Sequence, residues 1–143
     1  MEDIREELIK IKQKEPDIDK VLSLDAKDTK LIAQYMIEYI KIKDEYSRLV
    51  AEIRKKMAST SSELQVARSI AHLDKAVPEL QNKGIKFPTV DDKKAFCASE
   101  PGVLAALEKY SMLETMLEYV LNKKESCSMS HYTLKMLGGK NEI

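Results

Sequence analysis

Residues 29–57 read TKLIAQYMIEYIKIKDEYSRLVAEIRKKM. Ile32, Tyr35, Tyr39, Ile42, Tyr46, Leu49 and Ile53 recur there at alternating steps of three and four. That rhythm is the a/d seam of a helix that packs lengthwise on another helix. Met36, Ile40 and Val50 widen the stripe, and neither Gly nor Pro interrupts it. The seam predicts a helix from about Thr29 to Met57, long for a globular protein.

Upstream, Ile4, Leu8 and Ile11 give a first helix over Glu2 to Lys14, stopped by Pro16. Residues 15–28, EPDIDKVLSLDAKD, form a polar linker with room for a turn or a short helix. Downstream, residues 57–64 read MASTSSEL, where Thr60 and Glu63 have the spacing of a capping box. A third helix is expected to start near Ser61 and to bury Leu64, Ala67, Ile70, Ala71 and Leu73. Pro78 should end or kink it, because proline has no N–H for the carbonyl four residues back. PELQNKG then adds a turn closed by Gly84, and IKFP is extended with no strand to pair it.

The last third opens on TVDDKKAFCASEPG, a short helix and a new start, with Ser99 as candidate N-cap and Pro101 in the first turn. Val103, Ala106, Tyr110, Leu113, Leu117 and Val120 renew the three–four alternation. The same count continues to Lys124, Cys127, His131 and Leu134, so the register survives a Ser-rich patch while the seam turns polar. The expected layout packs the first half of this helix on the Thr29–Met57 helix and lets the second half project, with a bend near Ser126. Cys127, His131, Tyr132, Leu134 and Leu137 would then form an oligomer interface, since exposed apolar clusters mark interfaces. The fold class is all-α: one helical domain over 1–143, with long antiparallel helices and a shorter middle helix. Residues 1–98 hold the N-terminal helices, and 99–143 hold the long C-terminal helix and the oligomerisation segment.

Composition agrees with that class. In 143 residues, 34% are charged and 43% hydrophobic, with four Gly and four Pro, a mix that suits helices rather than a sandwich. The formal net charge is zero, so any polyanion must be held by local patches. The start MEDIREELIKIKQK is acidic and amphipathic, unlike a secretory signal, and no apolar run is long enough to span a bilayer. Two distant cysteines make no disulfide framework, which points to a reducing cytoplasm. There is no Gly-rich phosphate loop, nucleophile elbow or H-E-x-x-H. A non-enzymatic protein without catalytic residue, metal or cofactor is expected. His72, Cys97, Cys127 and His131 add up to a zinc ligand set, but they lack the close pairs that pre-form such sites, and seam residues are the better reading.

One cluster favours a nucleic acid. Arg54, Lys55 and Lys56 sit together at the expected end of the long helix, where the dipole welcomes positive charge. Lys41, Arg48 and Lys55 are spaced by seven and form a stripe, with Arg68 beyond the turn. The competing reading pairs these cations with Asp44, Glu45 and Glu52 on a solvated face. Tyr35, Tyr39 and Tyr46 could serve as stacking platforms, but their seam positions read as core.

The order of elements resembles the UvsY family of phage recombination mediators. The likeness rests on the EELIK helix, the long helix ending in Lys55–Lys56, and SEPGVLAALEKYSMLETMLEYVL closed by HYTLKMLGGK. It runs best over Met1–Lys56 and Ser99–Lys140. The family's basic Lys-x-Arg after the Lys pair has no clean match in MASTSS, with only Arg68 to stand in across a gap. The resemblance implies a homo-oligomer that binds single-stranded DNA and helps a RecA-like recombinase replace single-strand-binding protein. The alternative is a helical protein-interaction adaptor, such as a phage inhibitor or assembly factor, that binds no nucleic acid.

Overall fold

The computed structural model describes residues 2–139 and is all-α, with no strand among them. The elements are α1 (Glu2–Lys14), α2 (Ile18–Leu22), α3 (Thr29–Ile70), a π-helical turn (Ala71–Lys75), α4 (Ala76–Asn82), α5 (Val90–Ser99) and α6 (Pro101–Gly139). Lys140, which ends the closing HYTLKMLGGK of the resemblance, lies outside the described residues. The chain divides into two compact units, one of Met1–Ile53 with Met116–Ile143 and one of Arg54–Thr115.

In the first unit the α3 seam is the core. Ile32, Tyr39, Ile42, Tyr46, Leu49 and Ile53 are all buried, as are Ile4 and Ile11 of α1. The opposing α6 face buries Val120, Cys127 and Leu134, each seven residues from the last. A Cβ on Gly138 would lie 3.4 Å from the Ile32 side chain, so the α6 backbone packs on that side chain there. Further along, Tyr39 faces Ser130 and Cys127. Both contacts lie within this unit and set α6 against α3. Tyr46 is wholly buried, and its hydroxyl donates to Glu15 at 2.5 Å. Lys123 reaches the other oxygen of the same carboxylate at 3.5 Å, so Glu15, just past α1, ties α3 to α6. Lys14 pairs with Glu45 at 2.7 Å, and Lys12 lies 5.4 Å above the Tyr119 ring.

This packing corrects the expectation that the second half of the C-terminal helix projects. Cys127 and Leu134 fill their own chain's core and are not available to an interface. The helix spans the Ser-rich patch because Cys127 and Leu134 are held in the core, and its hydroxyls bond back along it: Ser128 donates to the Lys124 carbonyl at 3.3 Å and, beyond the patch, Thr133 to Met129 at 2.9 Å. It is the N-terminal half, up to Thr115, that belongs to the other unit.

MASTSS is a second correction. No helix starts at Ser61, because α3 runs through to Ile70. Thr60 is no cap but a core residue, 1% exposed, one heptad beyond Ile53, and Ser62 donates to the Ala58 carbonyl at 3.3 Å. The four hydroxyl residues, Ser59 to Ser62, sit in a helix whose seam continues on both sides, and tertiary packing outweighs their preference for caps.

In the second unit Leu64, Ala71, Val103 and Ala106 form a buried cluster, with Ala67, Phe96 and Cys97 packed on it. The buried stripe steps Leu64, Ala71, Ala76, Leu80, and the five-residue step falls on the π turn. There the Ala76 N–H reaches back five residues to the Ala71 carbonyl. The wider turn absorbs one extra residue and returns Ala76 and Leu80 to the core side. Ile70 and Leu73, expected in the core, are exposed, Leu73 by 73%. Pro78 does not end the helix but lies two residues into α4, directly after the π turn. Gly84 closes α4 with φ +96°, as expected: its N–H meets Gln81 O and the Ile85 N–H meets Leu80 O, both at 3.0 Å, a Schellman pair.

α5 starts with a capping box of Thr89 and Asp92. Ser99 is the last residue of α5 and not the cap of α6, which is Glu100, whose carboxylate accepts from the Val103 N–H at 3.1 Å. Lys75 donates to Glu100 at 3.0 Å. Lys75, with that backbone N–H second, holds the Glu100 carboxyl below its ordinary value of 4.5. A carboxylate depressed in the native state adds stability above its unfolded pKa and loses it as pH falls through the native value. Acidification below about pH 4.5 should therefore lower the melting temperature more in the wild type than in Glu100→Gln. Parallel melting curves against pH would remove Glu100 from that role.

Candidate functional site

The basic residues all lie on α3. Lys41 and Arg48 belong to the first unit; Arg54, Lys55, Lys56 and Arg68 belong to the second. All are exposed except Lys56, which is half-buried. Because α3 continues to Ile70, Lys55 and Lys56 sit within a helix and not at its end. The helix dipole therefore gives no reason for positive charge at that place.

Among the described residues, none of these six cations has a carboxylate within ion-pair distance. Glu45, expected to pair with them, is taken by Lys14. Lys41 and Arg48 instead line a groove of about 380 Å³ with Lys14, Ile42, Glu38, Asp44 and Glu45. Three carboxylates in that groove offset its cations, so it has little net field. Beside it Glu7 of α1 faces Glu52 of α3, and burial first, then the hydrogen bond with Glu52, raises the Glu7 carboxyl. The first unit's cations are thus embedded in mixed charge. Arg54 and Lys55 are the freer pair.

The four candidate zinc ligands are not brought together. His72 and Cys97 line a cleft in the second unit, while Cys127 and His131 belong to the first. No group of three potential ligands occurs among the described residues. Burial pushes the Cys127 thiol up to about 11, so it stays protonated at neutral pH. The three seam tyrosines divide likewise. Tyr39 and Tyr46 are buried and offer no face to a base, and Tyr35 is half-buried.

Of the expected interface residues, Tyr132 is 62% exposed and His131 and Leu137 are half-buried. Met129, Tyr132 and Met136 stand at i, i+3 and i+7 on α6, an outward apolar strip that the seam count passed over. Nearby, α2 residues Ile18, Val21 and Leu22 and α6 residues from Met129 to Leu137 line an open cleft of about 460 Å³.

A second cleft, of about 640 Å³, opens where the π turn meets α5 and the start of α6. Arg68, Ser69, His72, Leu73, Lys94 and Cys97 line it, over a floor that includes Val103 and Leu107. Sequence spacing gave no sign of this cleft beyond Pro78 and the five-residue step of the stripe. No helix among the described residues is long and apolar enough to cross a membrane. Compared with known family models, curated proteins and solved structures, the chain matches none.

Proposed function

We propose that the protein is a non-enzymatic recombination mediator: a homo-oligomer that binds single-stranded DNA and assists a RecA-like recombinase in displacing single-strand-binding protein. The observation that carries this reading is the set of cations on α3 without a carboxylate partner among the described residues. A lysine or arginine kept free of internal pairing is ready to neutralise phosphate and release its counterions. The partners come from the UvsY-like order of elements. Self-association is supported by the strip of Met129, Tyr132 and Met136. Repeating a weak basic patch around an oligomer makes the patches act together.

Arg54→Glu with Lys55→Glu is the direct test, because both side chains are exposed and the change leaves the core intact. Single-strand affinity should fall, and the slope of log affinity against log salt should flatten by about 1.4, the share of two neutralised phosphates. Unchanged affinity and slope would remove this pair from the DNA path. The adaptor reading is favoured by the groove of mixed charge around Lys41 and Arg48 and by the zero net charge. Light scattering after size exclusion, with and without an oligonucleotide, separates the two. A mediator gains the mass of the strand, and an adaptor does not.

A further inference from the structure

We propose that the cleft at the π turn is a docking site for an acidic peptide segment of a partner protein, one with a large apolar side chain among its carboxylates. The basis is charge complementarity over an apolar floor. Arg68 enters from α3, Lys94 from α5 and His72 from the π turn, and no acidic residue lines the cleft. Neither Arg68 nor Lys94 has an ion-pair partner among the described residues. Elsewhere this neutral chain intersperses opposite charges, as in the groove beside Lys41. A cleft of one sign is the exception.

Between the cations lie Leu73, Ala98, Val103 and Leu107. Leu73 is 73% exposed and Leu107 is also exposed, so part of this apolar surface faces solvent. Its volume lies within the range of about 300–1,000 Å³ that holds a compact ligand group. The π turn places it: the five-residue step keeps Ala71 and Ala76 in the core and leaves His72 and Leu73 between them at the cleft. Such turns recur at functional sites because they give up regular hydrogen bonding to aim side chains.

A single strand of nucleic acid fits less well. It would need an aromatic face on which bases stack, and apart from the His72 imidazole no lining residue is aromatic. An acidic peptide satisfies both halves of the site, carboxylates on Arg68 and Lys94 and one apolar anchor against Leu73 and Leu107. Such an anchor in a small pocket is the usual centre of peptide affinity. The site would engage a protein partner without depending on the single-strand affinity of Arg54 and Lys55.

Panning a library of random short peptides on the full chain is the first measurement. Enrichment of sequences with several Asp or Glu around a Leu, Phe or Met is expected. The enriched peptide should bind Lys94→Glu and Leu73→Ser about tenfold more weakly each, as for interface anchors. Neither side chain belongs to the buried core, and circular dichroism checks that the variants keep their helix content. Cys97 supplies a second readout, since it lines the cleft while Cys127 is buried. Bound peptide should slow its alkylation, and oligothymidine should not. The proposal fails if no acidic–apolar sequence is enriched, or if the enriched peptide binds both variants as it binds wild type. It fails equally if a peptide of aspartates alone binds as well, or if oligothymidine protects Cys97 and the peptide does not.

Discussion

Tyr46→Ala is expected to lower the unfolding free energy by about 4 kcal/mol, with loss of cooperative melting in the first unit. Tyr46 is 0% exposed and heads the fully buried side chains by size. Its removal takes a ring from the centre of the α3 seam and leaves a cavity that two rigid helices cannot close. The same change strips Glu15 of the hydroxyl that donates to it, leaving Lys123 at 3.5 Å as its remaining side-chain partner. Tyr46→Phe separates the two effects. It keeps the ring and deletes the hydrogen bond, and should cost about 2 kcal/mol, as for a bond to a charged acceptor. Burial first, and the Glu15 carboxylate second, hold the Tyr46 phenol far above its ordinary value. Neither variant's deficit should therefore change between about pH 6 and 9 through titration of this phenol. Denaturant melts of the three proteins check the ranking. A Tyr46→Ala protein as stable as Tyr46→Phe would mean that the ring is not in the core.

How far the sequence could be read follows from what each signal depends on. The α1 limits and the buried run Ile32, Tyr39, Tyr46, Ile53 were legible because heptad spacing is local, and any packed helix must express it. The same count carried past Val120 gives Cys127 and Leu134, and both are buried. What misled was the polarity of the residues between them. Ser and Thr suit both caps and helix interiors, since the hydroxyl can satisfy an orphan N–H or the carbonyl four residues back. At Ser62, Ser128 and Thr133 the second use applies, and only the fold decides between them. Glu100 shows the reverse case. A carboxylate before proline caps α6, and the nearby Ser99 drew the cap assignment to itself. The π-turn cleft was out of reach, because it joins residues 68–73 to residues 94–107 through the docking of α5. The unpaired state of Arg54 and Lys55 was equally hidden, since carboxylates at helical spacing looked able to pair with them.

Deleting Glu125–Ile143 should unfold the first unit rather than release a smaller folded species. Sequence spacing alone makes that segment an appendage whose loss would cost only an oligomer. In the structure it carries Cys127 and Leu134, both buried, and the Gly138 backbone lies beside Ile32. The cut would expose Ile32 and Tyr39, each now buried, and remove the cover that the α6 segment gives to α2. Two uncovered large side chains and the lost burial of Cys127 and Leu134 sum to about 6 kcal/mol at about 1.5 kcal/mol each. That is comparable with the whole stability of a small domain, about 5–15 kcal/mol. The truncated chain should show reduced helicity and a broad melt, with any surviving cooperativity confined to Arg54–Thr115. Because unfolding would also abolish assembly, the deletion cannot report on the oligomer. Tyr132→Glu with Met136→Glu can, since both side chains point outward and α6 tolerates glutamate at exposed positions. This double variant should keep wild-type helicity and melting while running at a lower mass in light scattering. It should also bind single strands more weakly, through lost multivalency with Arg54 and Lys55 still in place. A double variant with wild-type mass would place self-association on another face, and a cooperative, fully helical truncation would show that the tail is no part of the core.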